Sequence, residues 1–124
     1  MSEFSKIVAI LGASDKADRY ANMAMRQLIE HDHEVLLVNP NLQEIEGRPC
    51  RSSLSALSET IDTITIYVTP KRVRAAVPDI LSRQPKRVIF NPGTEDDESM
   101  KTLSAAGIEV IAGCTLVMLN TGQF

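Results

Sequence analysis

The chain has 124 residues, 44% hydrophobic and 23% charged, with a net charge of −3. That is enough for one sheet with helices on both sides, and too acidic for a general nucleic-acid or membrane-surface binder. No apolar stretch approaches a membrane span, and Cys50, Cys114, His31 and His33 are too poor a set for a zinc site or a disulfide scaffold. Residues 1–6 lack the charged-then-apolar pattern of a signal peptide, so the expectation is a cytoplasmic protein forming a single domain over 1–124.

The first element is Ile7-Val8-Ala9-Ile10-Leu11, a continuous apolar run of the kind buried on both faces of a parallel sheet. It ends in the small-residue turn Gly12-Ala13-Ser14 and leads into a helix with Ala21, Ala24, Met25, Leu28 and Ile29 on one face, closing near His31-Asp32-His33. A second strand, Glu34-Val35-Leu36-Leu37-Val38, meets Asn39-Pro40, which forces a turn. A polar stretch follows through Gly47-Arg48-Pro49, with Cys50 in a loop, and 53–59 makes a short helix at best. A third strand over 63–68 runs into Thr69-Pro70, a helix entry with Thr as N-cap and Pro at the first helical position. Val73, Val77, Ile80 and Leu81 line that helix, which Pro78 should kink or restart. After a fourth strand, Arg87–Phe90, a helix from Thr94 carries Glu95, Asp96, Asp97 and Glu98 in its first turn. It packs through Met100, Leu103 and Ala106 and ends at Gly107. A fifth strand over 108–112 and a last apolar turn or short helix over 114–120, stopped by Gly122, complete the chain.

Strands and helices alternating with short connections predict an α/β domain with a doubly wound, five-stranded parallel sheet. Ligands of such sheets bind beyond the carboxyl ends of the strands, at the switch point. The segments 12–19, 39–41, 69–74, 91–95 and 113–115 are therefore expected to share one edge.

Of these, the turn after the first strand has the chemistry of a phosphate site. Amides that open a helix lack intrahelical partners and carry partial positive charge, and Gly12-Ala13-Ser14 puts little side chain in front of them. Arg19 and Lys16 stand nearby, and Lys71, Arg72 and Arg74 form a second basic cluster, read equally well as a solvated helix face. The acidic first turn after Thr94 makes a poor phosphate cradle. The dinucleotide motif GxGxxG is absent, and so is a carboxylate ending the second strand, which disfavours NAD(P). The acidic pair of a response regulator and a P-loop are absent as well.

In order along the chain stand Gly12-Ala13-Ser14, Arg19-Tyr20-Ala21-Asn22-Met23-Ala24, Val38-Asn39-Pro40 with Gly47, and Tyr67-Val68-Thr69-Pro70. Phe90-Asn91-Pro92-Gly93-Thr94-Glu95 and Cys114-Thr115-Leu116-Val117-Met118-Leu119 follow. Together these motifs resemble the small single-domain CoA-binding proteins, whose domain is similar to the CoA-binding part of the succinyl-CoA synthetase α subunit. The resemblance implies a Rossmann-like fold and a small nucleotide ligand: coenzyme A, dephospho-CoA or an acyl-CoA. By carry-over, Gly12, Ala13, Ser14 and Arg19 hold the pyrophosphate. Asn39 and Pro40 border the adenosine, and Thr69 and Pro70 the adenine or pantetheine side. Asn41 stands where many relatives have a lysine suited to the 3′-phosphate, which leaves Lys71 or Arg72 for that role.

Two classes of function fit. One is a binding or sensor module that captures CoA without turning it over, alone, as a homo-oligomer or with a protein partner. The other is an enzyme that acts on a CoA thioester or disulfide through Cys114, a thiol whose pKa a helix start would lower. Against it, no histidine can be placed as a base, and free cysteine commonly serves as a small buried hydrophobe. An NAD(P)-binding redox module is a third, weaker alternative. The bland readings are a tight turn at Gly12, a surface ion pair at Arg19 and a turn former at Asn39.

Overall fold

The hydrophobic runs form parallel strands where they are expected, but the sheet is wider than five. The computed structural model describes residues 5–124; residues 1–4, part of the segment examined for a signal peptide, lie outside the described residues. Along the chain come β1 (Ile7–Leu11), α1 (Tyr20–Glu30), β2 (Glu34–Val38), β3 (Glu44–Ile45) and β4 (Arg48–Arg51). A single 3-10 turn at Leu54–Ala56 precedes β5 (Thr63–Ile66), α2 (Pro70–Arg83), β6 (Arg87–Phe90), α3 (Asp97–Ala105), β7 (Glu109–Ala112) and α4 (Thr115–Asn120). The fold is a Rossmann-like α/β arrangement with a seven-stranded sheet in the order β3-β4-β2-β1-β5-β6-β7. Its pairs are parallel except β3 with β4.

The two additional strands make a hairpin that the expected five-stranded sheet left out. Its turn is Glu46-Gly47, both at positive φ (50° and 81°), the backbone of a type I′ connection. Such turns usually announce themselves as Asn-Gly or Asp-Gly between alternating runs. Here the first residue is Glu and the flanking strands are too short to show a period. Cys50, expected in a loop, is a buried residue of β4.

The helices need smaller corrections. α1 begins at Tyr20 rather than directly after Ser14. α2 runs through Pro78 without ending; the carbonyl its missing amide would have bonded belongs to Arg74, and both residues face solvent. Thr69 occupies the N-cap position of α2, although its hydroxyl makes no cap bond. α3 starts at Asp97, not Thr94. The Thr94 amide and hydroxyl instead close a turn on the Asn91 carbonyl, and the Asp96 side chain caps the helix by accepting from the Ser99 amide. Ala106, expected in the core, is the exposed C-cap of α3.

Alternate residues of β1 feed two cores. Ala9 and Leu11 join Val73, Ile80 and Leu103 of α2 and α3, while Val8 and Ile10 join Ala21, Met25, Leu28 and Leu119 of α1 and α4. Leu11 pairs with Val38 of β2 on one side and Ile66 of β5 on the other, so these strands finish level. The order of the sheet reverses between β1 and β5, and the chain leaves that switch point through Gly12. At φ +90° this residue lies in the left-handed region, and a Cβ built on it would stand 2.8 Å from Val68 Cγ1 and 3.0 Å from the Tyr67 carbonyl carbon and oxygen. Only glycine lets β1 turn this closely over the end of β5.

Gly12→Ala is expected to cost about 2 kcal/mol or more in urea denaturation, from backbone strain and collision together. Gly47→Ala, also at positive φ but with nothing within 4 Å of the added methyl, should cost about 1 kcal/mol. Equal losses would refute the close approach as the reason for Gly12.

Candidate functional site

The level ends of β1, β2 and β5 open into a cleft of about 630 Å³, within the range of small-molecule sites. Its walls come from three places: residues 12–16 with Arg19, Tyr20 and Ala21 after β1, Asn39, Asn41 and Leu42 after β2, and Tyr67 and Arg72 after β5. This is the crevice that the switch-point rule singles out.

The loop after β1 is held in place largely by its own neighbours. The Gly12 and Ala13 amides, expected to be free, both donate to the Val38 carbonyl at 3.0 Å. Asn39 extends the attachment. Its side-chain amide donates to the Ala13 carbonyl at 2.8 Å, while its side-chain oxygen accepts from the Asn41 amide at 2.8 Å. The Ser14 hydroxyl accepts from the Lys16 amide at 3.1 Å, and the Ser14 carbonyl accepts from the Asn22 side chain at 2.9 Å. The amides left without a protein acceptor among the described residues include those of Ser14, Asp15, Tyr20 and Ala21. The last two open α1, where partial positive charge gathers.

Charge on the walls is predominantly positive. Lys16, Arg19 and Arg72 face one carboxylate, Asp15. The ion pairs among the described residues join Arg26 to Glu46, Arg74 to Asp96 and Lys86 to Asp62, and leave the cleft cations unengaged. The basic cluster at the start of α2 therefore divides. Arg72 lines the cleft, Arg74 binds the N-cap of α3 at 3.0 Å, and Lys71 is exposed away from the cleft wall. Free amides, unpaired cations and a cleft of this size suit a diphosphate attached to an organic group.

Asn22 is 1% exposed and joins this loop to the hairpin. Besides the Ser14 carbonyl, its amide reaches Glu46 Oε2 at 3.0 Å, and Arg26 Nη2 reaches the same oxygen at 3.0 Å. These donors hold the Glu46 carboxyl below its ordinary value, the Asn22 bond first and Arg26 second. On the opposite wall, burial pushes the Tyr67 phenol up to about 12, against a smaller opposing influence of Thr115 and Thr65. Those two threonines bond each other at 2.8 Å and Asn91 donates to Thr65 at 2.7 Å; the buried Tyr67 hydroxyl lies beside them without a well-formed hydrogen bond.

Of the residues singled out from sequence, Gly12, Ala13, Ser14, Arg19, Asn39 and Arg72 meet on the cleft wall, while Pro40, Thr69, Pro70 and Lys71 stand at the same strand ends outside it. Tyr20, Ala21, Leu42 and Tyr67 line the wall as well without having been singled out. Tyr20 and Tyr67 lie within the ordered motifs, but only the folded chain shows which faces they present. Cys114 is the N-cap of the short α4 and lies outside the cleft lining. No histidine attends it: His33 Nδ1 accepts from the Lys6 amide at 3.0 Å beside Phe124, near the start of β2 and so at the other end of the sheet. Among the described residues no cluster of metal ligands is present, and no helix is long and apolar enough to cross a membrane.

Comparison with known proteins shows the family. The chain belongs to the CoA binding domain family, whose model matches residues 6–120. It is similar to acetate–CoA ligase [ADP-forming] I of Archaeoglobus fulgidus, at 27% identity over 95% of this chain and 19% of the ligase. The chain thus spans about a fifth of that relative's length. Among solved structures, a crystal structure of an uncharacterized protein aligns with a TM-score of 0.91 at 42% identity, covering 97% of this chain and 98% of that one. A Thermus thermophilus protein aligns at 0.89 with 32% identity, covering 97% and 91%.

The link between Asn22 and Glu46 has a pH signature. Because the folded Glu46 carboxyl titrates below its ordinary value of 4.5, its contribution is fully present above that value and is lost as pH falls through the lowered one. Urea midpoints measured from about pH 6 to about pH 3 should therefore fall less steeply for Glu46→Gln than for the parent, with Asp96, lowered by its bond to Ser99, carrying part of what remains. Parallel acid limbs would refute the link.

Proposed function

We propose that this chain captures coenzyme A, its dephospho form or an acyl-CoA in the cleft at the ends of β1, β2 and β5, as a binding or sensor module formed by residues 1–124 rather than as a catalyst. The observation that carries the reading is the donor set gathered at the switch point. The amides of Ser14, Tyr20 and Ala21 stand with Lys16, Arg19 and Arg72, and none of these groups has a protein partner among the described residues. Membership of the CoA binding domain family supports the choice of coenzyme over other diphosphates.

In this reading the Ser14 amide and the opening of α1 bind the diphosphate, with Arg19 and Lys16 matching its charge on one side and Arg72 on the other. Gly12, Ala13 and Asn39 act one step back, since their polar groups fix the loop. Pro40, Thr69 and Pro70 set the turn and the helix start that frame the cleft, and Lys71 contributes positive field from outside it. The adenosine lies over the turn after β2, beside Asn41 and Leu42. Catalysis has little support in the geometry, because Cys114 is outside the cleft lining and no histidine is placed to serve it.

Calorimetric titration of the whole chain should show binding of CoA or dephospho-CoA in the micromolar range, weakened about tenfold or more by Arg19→Ala, as loss of a charge-assisted contact requires. No heat with CoA, dephospho-CoA or ADP would end the proposal. Cys114→Ser is expected to leave affinity within about twofold, and intact mass after incubation with CoA disulfide should show no adduct on Cys114. A stoichiometric adduct there would favour thiol chemistry.

A further inference from the structure

We infer that Tyr20 is a ligand-contact residue whose ring packs against the pantetheine arm of the bound coenzyme, an inference that rests on the CoA reading above. Tyr20 is 71% exposed, more than any other large hydrophobic side chain among the described residues. Nothing in the protein's own packing calls for an aromatic ring there, because α1 buries Ala21, Ala24, Met25 and Leu28 instead. Yet this ring lines the cleft, directly after Arg19. An apolar surface left open beside unpaired cations suits a ligand that is charged at one point and apolar at the next.

The direction of the ring decides which part of the ligand it meets. At about 100° per residue, Tyr20 lies roughly 200° around α1 from Asn22. Asn22 and Arg26 both reach Glu46, so their flank faces the β3–β4 hairpin beyond β2. Tyr20 therefore stands on the other flank, toward α4 and β5, where Tyr67 supplies the facing wall. In folds of this kind the adenosine of a diphosphate ligand lies at the end of the second strand. A diphosphate over Ser14 with its adenosine beside Asn41 and Leu42 sends its second arm to the tyrosine flank. Pantetheine is an uncharged chain of methylenes, a dimethyl-substituted carbon and amides, which matches two ring faces. The Tyr67 hydroxyl is buried beside Thr65 and Thr115 and takes no part in this contact.

The test compares ligands that differ by one part. ADP lacks the arm, dephospho-CoA adds it, and CoA further adds the 3′-phosphate. Measured directly or by competition, Tyr20→Ala should weaken dephospho-CoA and CoA each about tenfold and leave ADP within about twofold, while Tyr20→Phe keeps all three. An equal loss for ADP would put the ring on the adenosine or in the loop and overturn the assignment. No loss for any ligand would remove Tyr20 from the site. A parent protein indifferent to all three would sink the CoA reading itself, which is a different result from either. Fluorescence gives an independent measure, since the chain has two tyrosines and no tryptophan. In a Tyr67→Phe protein at saturating ligand, emission reports Tyr20 alone. It should change with dephospho-CoA more than with ADP, and the reverse order would refute the contact.

Discussion

The Val38 carbonyl at the end of β2 is the point on which the site depends. It accepts both the Gly12 and Ala13 amides, so the chain leaving β1 is tied to its neighbour at the moment it turns. The turn itself is possible because Gly12 has no Cβ to strike the Tyr67 carbonyl just past the end of β5, the other neighbouring strand. The loop after β1 is thus pinned between β2 and β5, and the first amide it can offer a ligand is that of Ser14. A glycine beside a phosphate site invites the assumption that its own amide does the binding. Here the glycine shapes the loop, and the amides without a protein acceptor are later in the chain.

Side-chain amides do much of the remaining positioning. Asn39 links the turn after β2 to the Ala13 carbonyl, and Asn22 links the Ser14 carbonyl to the hairpin through Glu46. Asn39 also accepts from the Asn41 amide, a local bond suited to the turn after a strand, whereas Asn22 bonds only groups distant in sequence. Beside them, the side chains of Lys16, Arg19 and Arg72 have no protein partner among the described residues. Arg74 and Arg26, which sit near the cleft in sequence or in space, are neutralised by Asp96 and Glu46. A chain of net charge −3 can in this way present a local positive field at one strand edge.

A diphosphate reading and an apolar flank fit together in one ligand. In the proposed reading the cations match the charge, the neutral turn after β2 borders the adenosine, and the tyrosine side borders the uncharged arm. The chain matches a region that makes up 19% of an ADP-forming acetate–CoA ligase and belongs to the CoA binding domain family. Within this chain, Cys114 is the N-cap of a six-residue helix and lies outside the cleft lining.

The sequence alone determined the alternation of strands and helices, because a run such as Ile7-Val8-Ala9-Ile10-Leu11 is legible from its neighbours only. It also determined the family, through motifs spaced along the whole length, and the strand edge at which the cleft opens, through the parallel topology those runs imply. The hairpin of β3 and β4 escaped because strands so short carry no period, and the start of α3 was misplaced because Thr94 and Asp96 are both good caps. Only tertiary structure decided which groups are free: whether the Gly12 amide, Arg72 or Arg74 faces a ligand depends on partners distant in sequence, such as Val38 and Asp96. Local pattern fixes what an element is, whereas hydrogen-bond donors are assigned by whatever acceptor the fold brings within 3 Å, and no window of sequence contains that acceptor.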